Sequence, residues 1–207
     1  ADIFGDNMVL QQKTVTPIWG WADAGTTVTV TSSWNDKSYS TKAGRDGTWR
    51  IMLHTPEAGG PYVLTITGDN TLIFSDIYVG EVWLASGQSN MAMQLKECYE
   101  STKAILTSQN SNIRFINVPP LGSYKPLTDI KADWVVAAPE NVGDCSAVAW
   151  YFAHFIQENL GVPVGIINAS FGGSVVETWM SRETCQTRDV MKLHCVRHKT
   201  PSGINDR

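Results

Sequence analysis

The hydrophobic pattern of this chain changes its period near residue 77, and that change limits the folds open to it. Before that point apolar and polar residues alternate. Thr26-Thr27-Val28-Thr29-Val30-Thr31-Ser32 is the clearest case, with the period of two that marks a half-buried strand. Residues 14–21, 39–42, 48–53 and 62–67 also read as strands. Gly44-Arg45-Asp46-Gly47-Thr48 is a turn, and residues 56–61 form a glycine- and proline-rich loop. Turns recur about every ten residues, so residues 1–78 are expected to form a small all-β sandwich domain.

Past residue 77 the pattern is that of an α/β protein. Residues 77–85 read as a buried strand, 91–106 as a helix and 113–118 as a second strand. A polar, proline-containing stretch covers 119–139. Ser146 can cap a helix that runs to Leu160, with Val148, Tyr151, Phe152, Phe155 and Ile156 as its apolar stripe and Gly161 and Pro163 as its stop. Residues 162–168 are a third strand. Strand, helix and strand in alternation imply βαβ units and a parallel sheet, with functional groups at the C-terminal strand ends. After about residue 184 the periodicity is lost, and 185–207 reads as an irregular tail.

Of the 207 residues, 43% are apolar and 17% charged, a globular composition. The net charge of −4 gives no basic footprint for nucleic acid. No apolar run is long enough to span a bilayer, and no signal peptide is visible. Cys98, Cys145, Cys185 and Cys195 permit disulfides without demanding them. The spacing of Cys185, His194, Cys195 and His198 fits no common zinc pattern, so no metal is expected. The eight tryptophans suit both a core and stacking on sugar rings.

Two segments carry the chemistry. In Gly87-Gln88-Ser89-Asn90-Met91 a strand ends and a helix is expected to begin, which presents the Ser89 hydroxyl where free N–H groups favour negative charge. The structural alternative is that Ser89 or Asn90 only caps the helix. Met91 stands where a Gly-x-Ser-x-Gly elbow has its second glycine, so that motif is absent. In Ile166-Ile167-Asn168-Ala169-Ser170-Phe171-Gly172-Gly173-Ser174 a second strand ends in glycines, which let backbone approach a ligand closely. One N–H from this loop and that of Ser89 would form an oxyanion hole. The alternative is a tight strand-to-helix turn.

Gly87-Gln88-Ser89-Asn90-Met91 resembles the first sequence block of the SGNH hydrolases, and more narrowly the sialate O-acetylesterase family. Ile3-Phe4-Gly5-Asp6-Asn7-Met8-Val9-Leu10-Gln11-Gln12, Pro17-Ile18-Trp19-Gly20-Trp21-Ala22 and Ile167-Asn168-Ala169-Ser170-Phe171-Gly172-Gly173 follow that family's order, so the resemblance runs from residue 3 to about 183. It implies that 79–184 is the N-terminal part of an SGNH-type, flavodoxin-like α/β domain. It also implies Ser89 as nucleophile and oxyanion donor, Gly173 rather than Gly172 as the second donor, and Gln88, Asn90 and Glu177 as supporting residues; Trp179 matches too. The implied substrate is an acetylated sugar, such as O-acetylated sialic acid or an acetylated plant polysaccharide. No cofactor, metal, nucleic acid or membrane is implied, and a periplasmic or secreted setting is favoured over the cytoplasm.

A serine hydroxyl needs a base. The family uses a His two or three residues after an Asp, together with a Gln-Gly-Glu block, and neither occurs in these 207 residues. The histidines are His54, His154, His194 and His198. His154 reads as a surface residue, and Asp189 and His194 are too far apart for the family's spacing. The expectation is therefore an esterase portion without its acid–base half, poorly active alone and prone to self-association through uncovered sheet. The rival expectations are a non-catalytic carbohydrate-binding fragment and an inactive truncated product.

Overall fold

A computed structural model describes residues 1–123 and 126–187. The expected tail lies outside the described residues from position 188 onward, with His194, Cys195 and His198. The fold is mixed α/β with a large central sheet. Its strands are β1 (Val9–Gln11), β2 (Val15–Trp21), β3 (Thr27–Ser32), β4 (Ser38–Lys42), β5 (Thr48–His54), β6 (Gly59–Thr67), β7 (Thr71–Gly87), β8 (Asn110–Asn117), β9 (Trp134–Ala137) and β10 (Val164–Ser170). Eight of them form one sheet in the order β4-β3-β6-β7-β10-β8-β9, with β1 parallel to β7, while β2 and β5 form a separate antiparallel pair.

The change of period falls inside one strand. β7 is 17 residues long. Its first half pairs antiparallel with β6, and residues Glu81–Gly87 pair parallel with β10. Gly80 stands at the junction because nothing larger fits: a β-carbon there would lie 2.0 Å from the Pro163 carbonyl oxygen. The N-terminal segment secures the same point. Gln11 Oε1 accepts the Val82 N–H at 2.8 Å, and Gln12 Nε2 donates to the Glu81 carboxylate at 2.7 Å.

Two apolar clusters flank this strand. One lies between the β2–β5 pair and the sheet, where Ile18, Ile51 and Leu53 meet Val28, Val30, Leu64 and Ile77. β5 shows why: Trp49, Ile51 and Leu53 point inward, while Thr48, Arg50, Met52 and His54 point out. The other gathers Ile113, Phe115, Val164 and Ile166 under the helix α3 (Ala147–Leu160). Each fully buried aliphatic side chain contributes about 1.5–3 kcal/mol. Arg114 of β8 is 1% exposed. It donates to the Asp76 carboxylate at 3.0 Å and to the Asp76 carbonyl, and lies over the Tyr78 ring at 4.0 Å, which ties β8 to the first half of β7.

Three expectations are corrected. The helix expected over 91–106 is broken into α1 (Ser89–Ala92), a single 3-10 turn (Leu95–Glu97) and α2 (Ser101–Leu106). Tertiary hydrogen bonds prevail over helical ones there: Ala147 N–H donates to Met93 O and Leu95 N–H to Cys145 O, both at 2.9 Å, and Leu95 becomes fully buried. The stretch 119–139 contains β9, antiparallel to β8. The stripe Val148, Tyr151, Phe152 and Phe155 faces outward, whereas Ala147, Ala149, Trp150 and Ala153 face the sheet. Small alanines let the helix lie close to the strands, which large side chains would prevent. The cap and stop of α3 are as expected. Ser146 Oγ accepts from Ala149 N–H at 3.2 Å, and Gly161 ends the helix with φ +65°.

Candidate active site

β7 and β10 are parallel neighbours, with Ala169 opposite Ser86 and Ser170 opposite Gly87. The two segments singled out in the sequence therefore leave the sheet side by side at its C-terminal edge. Gly87, at φ +153°, permits the sharp exit from β7, a backbone conformation that side chains rarely adopt. Phe171 N–H donates back to Gly87 O at 2.9 Å, which pins the second segment beside the first. A β-carbon placed on Gly172 would lie 3.9 Å from the Ser89 α-carbon, so the glycine loop closes directly against the serine.

Ser89 is the first residue of α1 and is exposed. Its hydroxyl donates to Gln88 Oε1 at 3.3 Å. Gln88 occupies the cap position, and no side-chain hydrogen bond caps this helix, so the capping alternative has no hydrogen bond to support it. α1 is four residues long, a single turn, so the macrodipole invoked from the sequence shrinks to the local N–H groups of that turn. Asn90 is exposed beside Ser89.

Gly173 follows in the loop with φ +76° and open space around its α-carbon. Glu177 is half-buried in a 3-10 turn, Val176–Trp179, and its carbonyl accepts Met180 N–H at 3.3 Å. The loop ties itself: Trp179 Nε1 donates to Ser174 Oγ at 2.9 Å, and Ser174 Oγ donates to Phe171 O at 2.7 Å. The turn is followed by α4 (Arg182–Gln186), capped by Ser181 Oγ.

A chain of amides at the same edge was not assigned a site role from the sequence. Ser170 Oγ donates to Asn168 Oδ1 at 3.2 Å, Asn168 Nδ2 to Asn117 Oδ1 at 2.8 Å, and Asn117 Nδ2 to Asp144 O at 3.4 Å. The signal was present: both asparagines end an apolar run, and Asn168 opposite Asn117 is the last pair of the β10–β8 ladder. The Asp144 carboxylate meets Lys96 at 2.6 Å, and this hydrogen bond raises the ammonium pKa above its ordinary value.

The described histidines belong elsewhere. His54 is on the outer face of β5 beside Tyr39. His154 lies two turns along α3, bonded to Glu158 at 3.2 Å and edge-on to Trp150. Eight residues separate it from Ser146 at the α1 end of α3, about 12 Å of helix. Among the described residues, no group of three or more His, Cys, Asp and Glu side chains is placed to hold a metal ion.

Comparison with known proteins follows the same strands. No family model matches the chain. Human sialate O-acetylesterase is 31% identical over 98% of this chain and 42% of its own length. The mouse sialate O-acetylesterase is 30% identical over 89% of this chain and 38% of its own. The crystal structure of a carbohydrate acetylesterase from Xanthomonas citri superposes with a TM-score of 0.85 at 33% identity, covering 92% of this chain and 44% of that one. The chain thus spans about two fifths of the length of the curated relatives it matches.

Proposed function

The chain belongs to the sialate O-acetylesterase family, which it matches over nearly all of its own length, and from that premise we propose that it is the serine-bearing portion of a carbohydrate O-acetylesterase. Ser89 Oγ gives its proton to a base from outside the described residues and attacks the acetyl carbonyl carbon of an O-acetylated sugar, and the carbonyl π electrons move onto its oxygen. The N–H groups of Ser89 and Gly173 hold that oxyanion. Collapse expels the sugar oxygen, which takes a proton from the protonated base, and water then hydrolyses the acetyl-serine to acetate and returns Ser89 to its hydroxyl form. Gln88 orients the hydroxyl, and Asn90 and Glu177 support the pocket wall. The observation that supports this reading is the approach of Gly172 to Ser89 where β7 and β10 leave the sheet side by side.

The general base is neither His54 nor His154. Both are committed elsewhere in the fold, so among the described residues no histidine serves the hydroxyl as base, and slow turnover is expected. Residues 1–78 act as a β-sandwich unit that steadies β7. Because the Glu81–Gly87 half of β7 pairs only with β10 among the described residues, its other edge is a site of self-association. The natural substrate is O-acetylated sialic acid or an acetylated plant polysaccharide.

Hydrolysis of p-nitrophenyl acetate tests the reading. The 207-residue chain is expected to be slow, to accelerate saturably above the protein-free imidazole reaction when imidazole is supplied as an external base, and to lose that increment in Ser89→Ala. Turnover that needs His54 or His154, or an increment that survives Ser89→Ala, would overturn it.

A further inference from the structure

A second feature of the fold lies on the other sheet. β2 and β5 turn their outer face to solvent, and on it Trp19 stands directly opposite Arg50 and Trp21 opposite Thr48. Lys42 of β4 and Thr128 complete the wall of an open cavity of about 530 Å³. Trp21 is 46% exposed, a large indole surface left in water on a strand whose inward neighbours Ile18 and Gly20 are buried. Trp19 is held in place by an edge-on contact with Phe4 at 4.6 Å. The sheet is sealed underneath by Trp49, 8% exposed, whose ring lies against Gly20, so the core below the platform is closed by a side chain other than Trp21.

Its lining is cationic. Lys42 and Arg50 are the ionisable groups lining the cavity, and neither enters an ion pair among the described residues. The adjoining carboxylate, Asp46, accepts the N–H and hydroxyl of Thr48 on Oδ1 at 3.1 and 2.8 Å, bonds that hold its pKa below the ordinary value and leave it a single negative charge against the two cations. In a chain of net charge −4, two unpaired cations beside two indoles form a local exception.

We propose that this platform on β2 and β5 is a binding subsite for a saccharide that carries a carboxylate. Indole faces take the C–H face of a pyranose ring. A guanidinium forks onto a carboxylate, and the ammonium adds a second positive charge. Thr128 offers a hydroxyl, and Thr48 Oγ1, whose hydrogen goes to Asp46, accepts from a sugar hydroxyl. The cavity is of the size that small-molecule sites have, about 300–1,000 Å³. Choosing a saccharide over another anion rests on the esterase reading above; the charge preference rests on the cavity alone.

Calorimetric titration of the chain with trigalacturonate and with its neutral counterpart α-1,4-galactotriose tests this. Trigalacturonate is expected to bind at least about tenfold more tightly than galactotriose, a difference of about 1.4 kcal/mol, and to weaken as salt is added. Trp21→Ala should weaken trigalacturonate by about tenfold or more. Arg50→Gln should bring trigalacturonate down to the affinity of galactotriose. Both side chains are exposed, so both variants should melt with the parent, and both should acetylate Ser89 as the parent does. Equal affinity for the two trimers, no saturable heat with either, or unchanged binding in Trp21→Ala overturns the subsite. The esterase reading would stand on its own if Ser89 still took up acetyl in that case.

Discussion

At the scale of single residues, the two halves of the fold are joined by contacts that tolerate little change. Gly80→Ala places a methyl group into the Pro163 carbonyl. Such overpacking costs typically about 1–3 kcal/mol, and a lowered urea midpoint with an unchanged m-value would record it. A second residue ties stability to pH. Burial pushes the Cys145 thiol up from 9.0 to about 12, against a weaker pull from its hydrogen bond with the Ser146 backbone. The folded thiol keeps its proton where the unfolded one has lost it, so the folded state binds more protons in that range. The stability this confers is complete below about pH 9 and declines as pH rises towards 12. Urea midpoints measured across that window should fall less steeply for Cys145→Ala than for the parent, and parallel slopes would refute the burial argument. The place of Ser89 at a strand-to-helix turn was legible in the sequence because glycine, small and polar residues follow an apolar run. Gly80 was not, because its reason is a carbonyl more than eighty positions away.

At the scale of elements, α3 is the instructive case. Two stripes of this helix repeat with helical spacing, one of large apolar side chains and one built mainly of alanines. Periodicity alone cannot choose between them, and the close packing of helix on sheet selects the smaller one. Phe155 is 63% exposed and Ala153 is fully buried. Phe155→Gln should therefore shift stability by no more than about 0.5 kcal/mol. Ala153→Leu should cost about 1–3 kcal/mol by overpacking. The reverse order in thermal or urea unfolding would restore the stripe that the sequence suggested. The strands β2 to β5 were readable because one face of each is wetter than the other, as in β5, whereas the short β1, mostly buried, was not. The break of the helix after Ala92 was not, since it depends on hydrogen bonds to the residues before α3.

At the scale of the whole molecule, parallel pairing of β7 with β10 brings together two segments some eighty residues apart. That convergence followed from the strand–helix–strand order and the rules of parallel sheets. Missing from the sequence was the continuity of β7 through both parts. The same pairing leaves Trp83 and Leu84 at 43% and 65% exposure along the open half of β7, whereas Ile166 on β10 is buried. Exposed strand edges with apolar side chains favour association. Leu84→Glu should raise the monomer fraction in sedimentation equilibrium without lowering the melting temperature; an unchanged distribution would mean that this edge is not the contact. The most direct test of the nucleophile is to treat the chain with p-nitrophenyl acetate and imidazole, quench it with acid, and map the acetyl group by peptide mass spectrometry. The expected result is acetyl on Ser89, increasing with imidazole and reduced in Gly172→Val, whose side chain would crowd the serine. Acetyl spread over lysines with Ser89 unmodified would contradict the assignment of Ser89 as the nucleophile.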